Sequence, residues 1–162
     1  MTPIEILRKL DLLCWSVIFF GFRKGWVSRK DLSGYALYLL NNGSNDEGVA
    51  LIASAENLED EELLSLISSQ IETVDDALDI EKWRLANLIQ ISELNANEQM
   101  KVNRLQEVYA NFGYPEDMAS CSIYSQDKVD PLVAMMEVIA QLRVKLDRQI
   151  NSSQGSQNVS EH

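Results

Sequence analysis

Histidine is almost absent from this chain: the last of its 162 residues, His162, is the only one. Without it the Ser-His-Asp and Cys-His catalytic arrangements and the histidine-containing zinc sites are excluded. Cysteine is nearly as scarce. Cys14 and Cys121 lie far apart, too few for a Cys-rich zinc site, and are expected to be free thiols in a reducing cytosol. Gly21, Gly25 and Gly34 have neither the spacing nor the Lys-Ser/Thr ending of a phosphate-binding loop. Residues 45–56 lack the alternating ligands and the sixth-position glycine of an EF-hand. Carboxylates alone remain for catalysis, and Asp75, Asp76 and Asp79 do cluster at a helix start. Acids in a first helical turn are ordinary capping and dipole partners, however. The expectation is a protein that is not an enzyme, with no catalytic residue, no cofactor and no metal.

A long apolar run is missing too. The stretch 12–22 has eleven residues, whereas a membrane-spanning helix needs about 20. Glu5 and Asp11 interrupt the charge pattern of a signal peptide, no small-x-small cleavage site follows, and Arg23 and Lys24 close the far end. The stretch reads as a buried helix of a cytoplasmic protein.

Basic residues are missing from one block. Residues 46–79 hold eleven acids and no Lys or Arg, against six basic and three acidic residues in 1–45 and eight against eleven in 80–162. The block's net −11 equals the net charge of the chain. A field of one sign attracts the opposite sign and repels polyanions, so a basic protein surface fits as a partner and nucleic acid does not. The partner-binding candidates are Asp46, Glu47, Glu59, Glu61, Glu62, Glu72, Asp75, Asp76 and Asp79. The competing reading is a solvated helix face plus a loop.

What is present reads as helix. The length fits one domain, spanning 1–150, that would bury roughly 70% of the surface exposed by the unfolded chain. Thr2, Pro3 and Glu5 form a helix start, Ser28 with Asp31 a capping pair, and Gly43 a stop. Leu63, Leu64, Ile67 and Ile71 stripe one face of a helix over 59–71, which leaves Glu61, Glu62 and Glu72 on the opposite, solvent side. Thr73 with Asp76 predicts the start of a helix reaching about Leu94. Its apolar residues surround the whole wheel, so it should be central and buried, with Trp83 on it. Val102, Leu105, Tyr109 and Phe112 stripe a further helix that stops at Gly113. The last starts at Asp130–Pro131, and the polar stretch 151–162 is expected to be disordered. Only 120–124 offers a short strand. The fold class is all-α: a single-domain helical bundle or a short stacked helix-hairpin array.

Three stretches carry a family likeness: WSVIFFGFRKGWVSRKDLSGYALYLL from Trp15, the pair Lys82–Trp83, and EVYANFGYPEDM from Glu107. Together they resemble, over residues 10–125, a bacterial family of a domain of unknown function. Its members include immunity proteins of contact-dependent growth-inhibition and related polymorphic-toxin systems. The resemblance implies an immunity protein that binds and neutralises a cognate toxin C-terminal domain, monomeric in a 1:1 complex. Such toxins are commonly small nucleases, and an EndoU-like tRNA-cleaving RNase is one target it suggests. It assigns no binding residue by position. A non-enzymatic helical adaptor for another basic protein is the alternative.

Overall fold

The computed structural model describes residues 1–160, with side chains through Gln149; His162 lies outside the described residues. Eight α-helices follow in order: α1 Pro3–Lys9, α2 Trp15–Arg23, α3 Arg29–Asn41, α4 Glu47–Ile52, α5 Asp60–Gln70, α6 Asp76–Glu93, α7 Glu98–Asn111 and α8 Pro131–Ser160. Short 3-10 turns occupy Ala55–Asn57 and Glu116–Cys121, and no strand occurs among the described residues. The all-α expectation is met. Residues 120–124 are the end of a 3-10 turn and the chain leaving it, not a strand.

The chain groups into two compact units: Leu7–Asp79, and Met1–Ile6 with the chain from Ile80 onward. In the first, α2 packs on α5, α4 packs on both α3 and α5, and the Ala55–Asn57 turn packs on α3. Val17, Ile18, Leu32, Ala36, Ile52, Leu63 and Ile67 are buried there. The local signals hold. Ser28 Oγ accepts from Asp31 N while the Asp31 carboxylate accepts from Ser28 N, a complete capping box at the start of α3. Gly43, at φ +101°, turns the chain out of α3, and Ser44 N bonds back to Leu39 O.

Two boundaries differ from the sequence reading. The helix expected over 12–22 begins only at Trp15, because Asp11 takes a left-handed backbone (φ 62°) and separates α1 from α2. Helix α6 is capped by Asp75, whose carboxylate accepts from Leu78 N, rather than by the pair Thr73 and Asp76. A carboxylate immediately before the first helical residue meets the unsatisfied N–H groups directly.

In the second unit α7 and α8 pack on each other and on the Glu116–Cys121 turn. Lys82, Trp83, Arg84, Leu85 and Ala86 are all buried. Five consecutive helical residues span every side of a helix, so α6 is enclosed there as its all-round apolar pattern predicts. The Gln106 side chain fastens α7 to the following turn, donating to Cys121 O at 2.9 Å and accepting from Ile123 N at 3.2 Å. Gly113 (φ +77°) ends α7, with Tyr114 N bonded to Tyr109 O and the two tyrosine rings edge-on at 5.1 Å. The aromatic-proline run is therefore a helix stop, as expected. Helix α8 runs as far as Ser160, and residues 161–162 of the polar stretch lie outside the described residues.

Candidate protein-binding face and cleft

Every acid of the block except Asp79 is exposed. Glu61 and Glu62 lie in the first turn of α5, opposite the buried Leu63 and Ile67, as the apolar stripe requires. Acids there also interact favourably with the helix dipole, so the fold itself tolerates them well. Among the described residues Glu47, Glu59, Glu61, Glu62, Glu72 and Asp76 have no ion-pair partner. Asp60 of the block pairs with Arg29. The same guanidinium donates to Ala55 O at 2.6 Å and Leu58 O at 2.5 Å, tying the start of α3 to the approach to α5.

Three candidates have internal duties. Asp46 caps α4, accepting from Val49 N at 3.2 Å and from Gln70 Nε2 at 3.0 Å. The Gln70 bond, with the Val49 bond behind it, holds the Asp46 carboxyl below its ordinary pKa. A Cβ at Gly48 would stand 2.4 Å from Gln70 Nε2, so a side chain there would push the Gln70 amide aside. Asp75 is the α6 cap. Asp79 is a correction: it is 3% exposed and accepts from Ser16 Oγ, so it does not belong to the exposed face. Sequence placed it in the first helical turn with Asp76 but gave no sign that the i+3 position turns inward.

Asp79 instead lines a cleft of about 500 Å³ that the sequence reading missed. Ser16, Phe19, Phe20 and Arg23 of α2, with Lys24 just after it, line the cleft together with Ser68, Ile71, Val74, Asp76 and Asp79. The spacing of Ser16, Phe19 and Arg23 puts them on one helical face. The Arg23 guanidinium lies over the Phe19 ring at 5.5 Å, and Lys24 Nζ over Phe20 at 5.7 Å. Those i, i+4 aromatic–cation pairs were the legible signal, hidden by treating the whole stretch as core. A smaller recess of about 230 Å³ shares Ser16 and Ile71 with the cleft and includes Glu72 and Tyr35. Burial, chiefly, with Cys14, Tyr38 and Asp11 adding, pushes the Tyr35 hydroxyl up to about 12, so it stays a neutral donor.

Chemically the region offers exposed carboxylates and an aromatic-walled cleft with charges of both signs. No group of three or more His, Cys, Asp or Glu able to hold a metal occurs among the described residues. Nor is any helix among them long and apolar enough to cross a membrane.

The profile of one protein family matches residues 4–150; its description is "Uncharacterized protein conserved in bacteria (DUF2247)". Neither a curated protein nor a solved structure matches the chain.

Proposed function

The chain belongs to the bacterial family DUF2247, and we propose, on its acidic face, that it is a cytoplasmic immunity protein that neutralises a basic toxin domain. The observation that carries the reading is the set of exposed carboxylates without cations on the Leu7–Asp79 unit, Glu61, Glu62 and Glu72 among them. A nuclease grips the nucleic-acid backbone with Lys and Arg. Carboxylates offered to that basic groove act as a phosphate mimic and keep the substrate out. Complementary charge also speeds capture, from about 10⁵–10⁶ toward 10⁸–10⁹ M⁻¹s⁻¹ at low salt. Speed matters because a toxin entering the cytoplasm must be met before it has cleaved many substrates. The protein performs no chemistry of its own and needs no cofactor. An RNase of the EndoU-like, tRNA-cleaving type is the target we favour, bound one toxin to one immunity protein.

The test is co-expression with the product of the gene directly upstream, which the proposal expects to carry the toxin domain. The pair should co-purify at 1:1, and the chain should abolish nuclease activity in proportion to the toxin bound. A toxin domain that neither associates with the chain nor loses activity would refute the proposal.

A further inference from the structure

We infer that the α2–α6 cleft of the Leu7–Asp79 unit seats a guanidinium side chain of the protein partner. The inference rests on the proposed function for the partner's identity, but the chemistry is read from the cleft alone. Its walls already accept cations: the chain's own Arg23 and Lys24 lie over the rings of Phe19 and Phe20. Two carboxylates line the same cleft, Asp76 at the exposed rim and the buried Asp79, which accepts from Ser16 Oγ. Phe19, Phe20, Ile71 and Val74 supply apolar surface for the methylene stem, and Val74 is 71% exposed. Asp76, without an ion-pair partner among the described residues, is the carboxylate at the rim open to an incoming side chain, and Glu72 and Asp75 stand in the same 71–76 connection outside the lining.

A planar guanidinium stacks on an aromatic face and bonds a carboxylate at its edge at the same time, which an ammonium does less well. Exposed charges alone steer more than they hold. Affinity comes from a few anchors seated in desolvated pockets, among which Arg is enriched. This cleft lies at the end of the acidic block, where such an anchor would complete the binding face. Arg23 and Lys24 then occupy the rings until the partner's side chain displaces them.

The experiment titrates N-acetyl-arginine amide into the full chain and follows backbone amide NMR shifts. N-acetyl-citrulline amide, the uncharged isostere, and N-acetyl-lysine amide serve as comparisons. Saturable shifts centred on Ser16–Lys24 and Ile71–Asp79 are expected for the arginine probe, weaker ones for lysine, and none for citrulline. Asp76→Asn, at an exposed position, should weaken the arginine probe about fivefold. Arg23→Ala should tighten it about two- to fivefold, because the competing guanidinium over Phe19 is gone. Absent saturation, equal binding of citrulline, lysine binding at least as well as arginine, or indifference to Asp76→Asn would each overturn the inference. Adding the upstream toxin domain separates this inference from the functional proposal. A toxin that binds without displacing the probe removes the cleft from the interface and leaves the immunity reading standing. A toxin that does not bind removes the immunity reading and, with it, the partner assigned to the cleft.

Discussion

From Ile80 onward, Arg84 holds Asp117 at 2.6 Å, Arg104 holds Glu107 at 2.9 Å and Lys145 holds Glu81 at 2.5 Å. Within Leu7–Asp79, Arg29 pairs with Asp60, while Glu61, Glu62, Glu72 and Asp76 have no ion-pair partner among the described residues. The difference in composition is smaller than that contrast suggests. The first unit has six basic and thirteen acidic residues, net −7; Met1–Ile6 with the chain from Ile80 has eight and twelve, net −4. Placement separates them. One unit sets three of its acids against cations, with Arg84 buried in its pair, whereas the other leaves Glu59, Glu61, Glu62, Glu72 and Asp76 facing water with no cation beside them. Net charge therefore says little about where a partner binds; the distribution of unpaired charge says more.

Removing an acid should have opposite consequences in the two units. Asp117→Ala leaves the buried Arg84 guanidinium unpaired and should cost about 2–3 kcal/mol, the half-exposed carboxylate keeping the loss below that of a fully buried pair. Glu61→Gln with Glu62→Gln should stay within about 0.5 kcal/mol. Urea unfolding of both variants measures the contrast, and equal losses would break it. A subtler division lies inside the acidic block. Asp75→Ala removes the α6 cap and should cost about 1 kcal/mol, whereas Asp76→Ala gives up only a dipole interaction of a few tenths. Thermal unfolding that ranks Asp76 above Asp75 would return the cap to the position read from sequence.

The cysteines sharpen the comparison from the interior. Both are free; Cys14 is half-buried, and Cys121 is buried. Burial, with Asp117 adding to it, pushes the Cys121 thiol from its ordinary 9.0 to about 11. A raised folded value means its contribution to stability is present below pH 9 and is lost as pH rises toward 11. Cys121→Ala should flatten the fall in stability over that window. In the native protein a thiol reagent should modify Cys14 first. Modification of Cys121 at the same rate would mean the second unit opens readily.

The smallest expected effect concerns Asp46. Its lowered value means that the cap on α4 is present above the ordinary carboxyl pKa and is lost as pH falls through the folded one. Carboxyl-carbon NMR should place its midpoint below the usual 3.8, and Gln70→Ala should raise it. An unchanged midpoint would show that Gln70 does not hold the carboxylate.

Much of this fold was legible because its signals are local. Capping residues at Thr2, Ser28 and Asp31, the stops at Gly43 and Gly113, and the all-round apolar α6 each depend on residues within a few positions. The acidic face was legible for the same reason, since the stripe through Leu63 and Ile67 fixes where Glu61 and Glu62 point. What sequence hid depends on tertiary packing. Asp79 turns inward to a Ser16 that lies 63 positions away. Asp117 is committed to Arg84, 33 positions earlier. The cleft joins two segments some fifty residues apart, and no periodicity within either one announces the other.

The central claim is that the unpaired carboxylates of Leu7–Asp79 steer a basic partner. Stopped-flow association with the upstream toxin domain, across a series of salt concentrations, tests it most directly. The variant carrying Glu61→Gln, Glu62→Gln, Glu72→Gln and Asp76→Asn alters only exposed residues without ion-pair partners among those described. Its on-rate at low salt should fall by about tenfold or more, and the dependence of the rate on salt should flatten with it. Glu116→Gln with Asp147→Asn, exposed in the other unit, should change neither. An unchanged rate and slope in the four-site variant would contradict the account and reduce the acidic face to an aid to solubility.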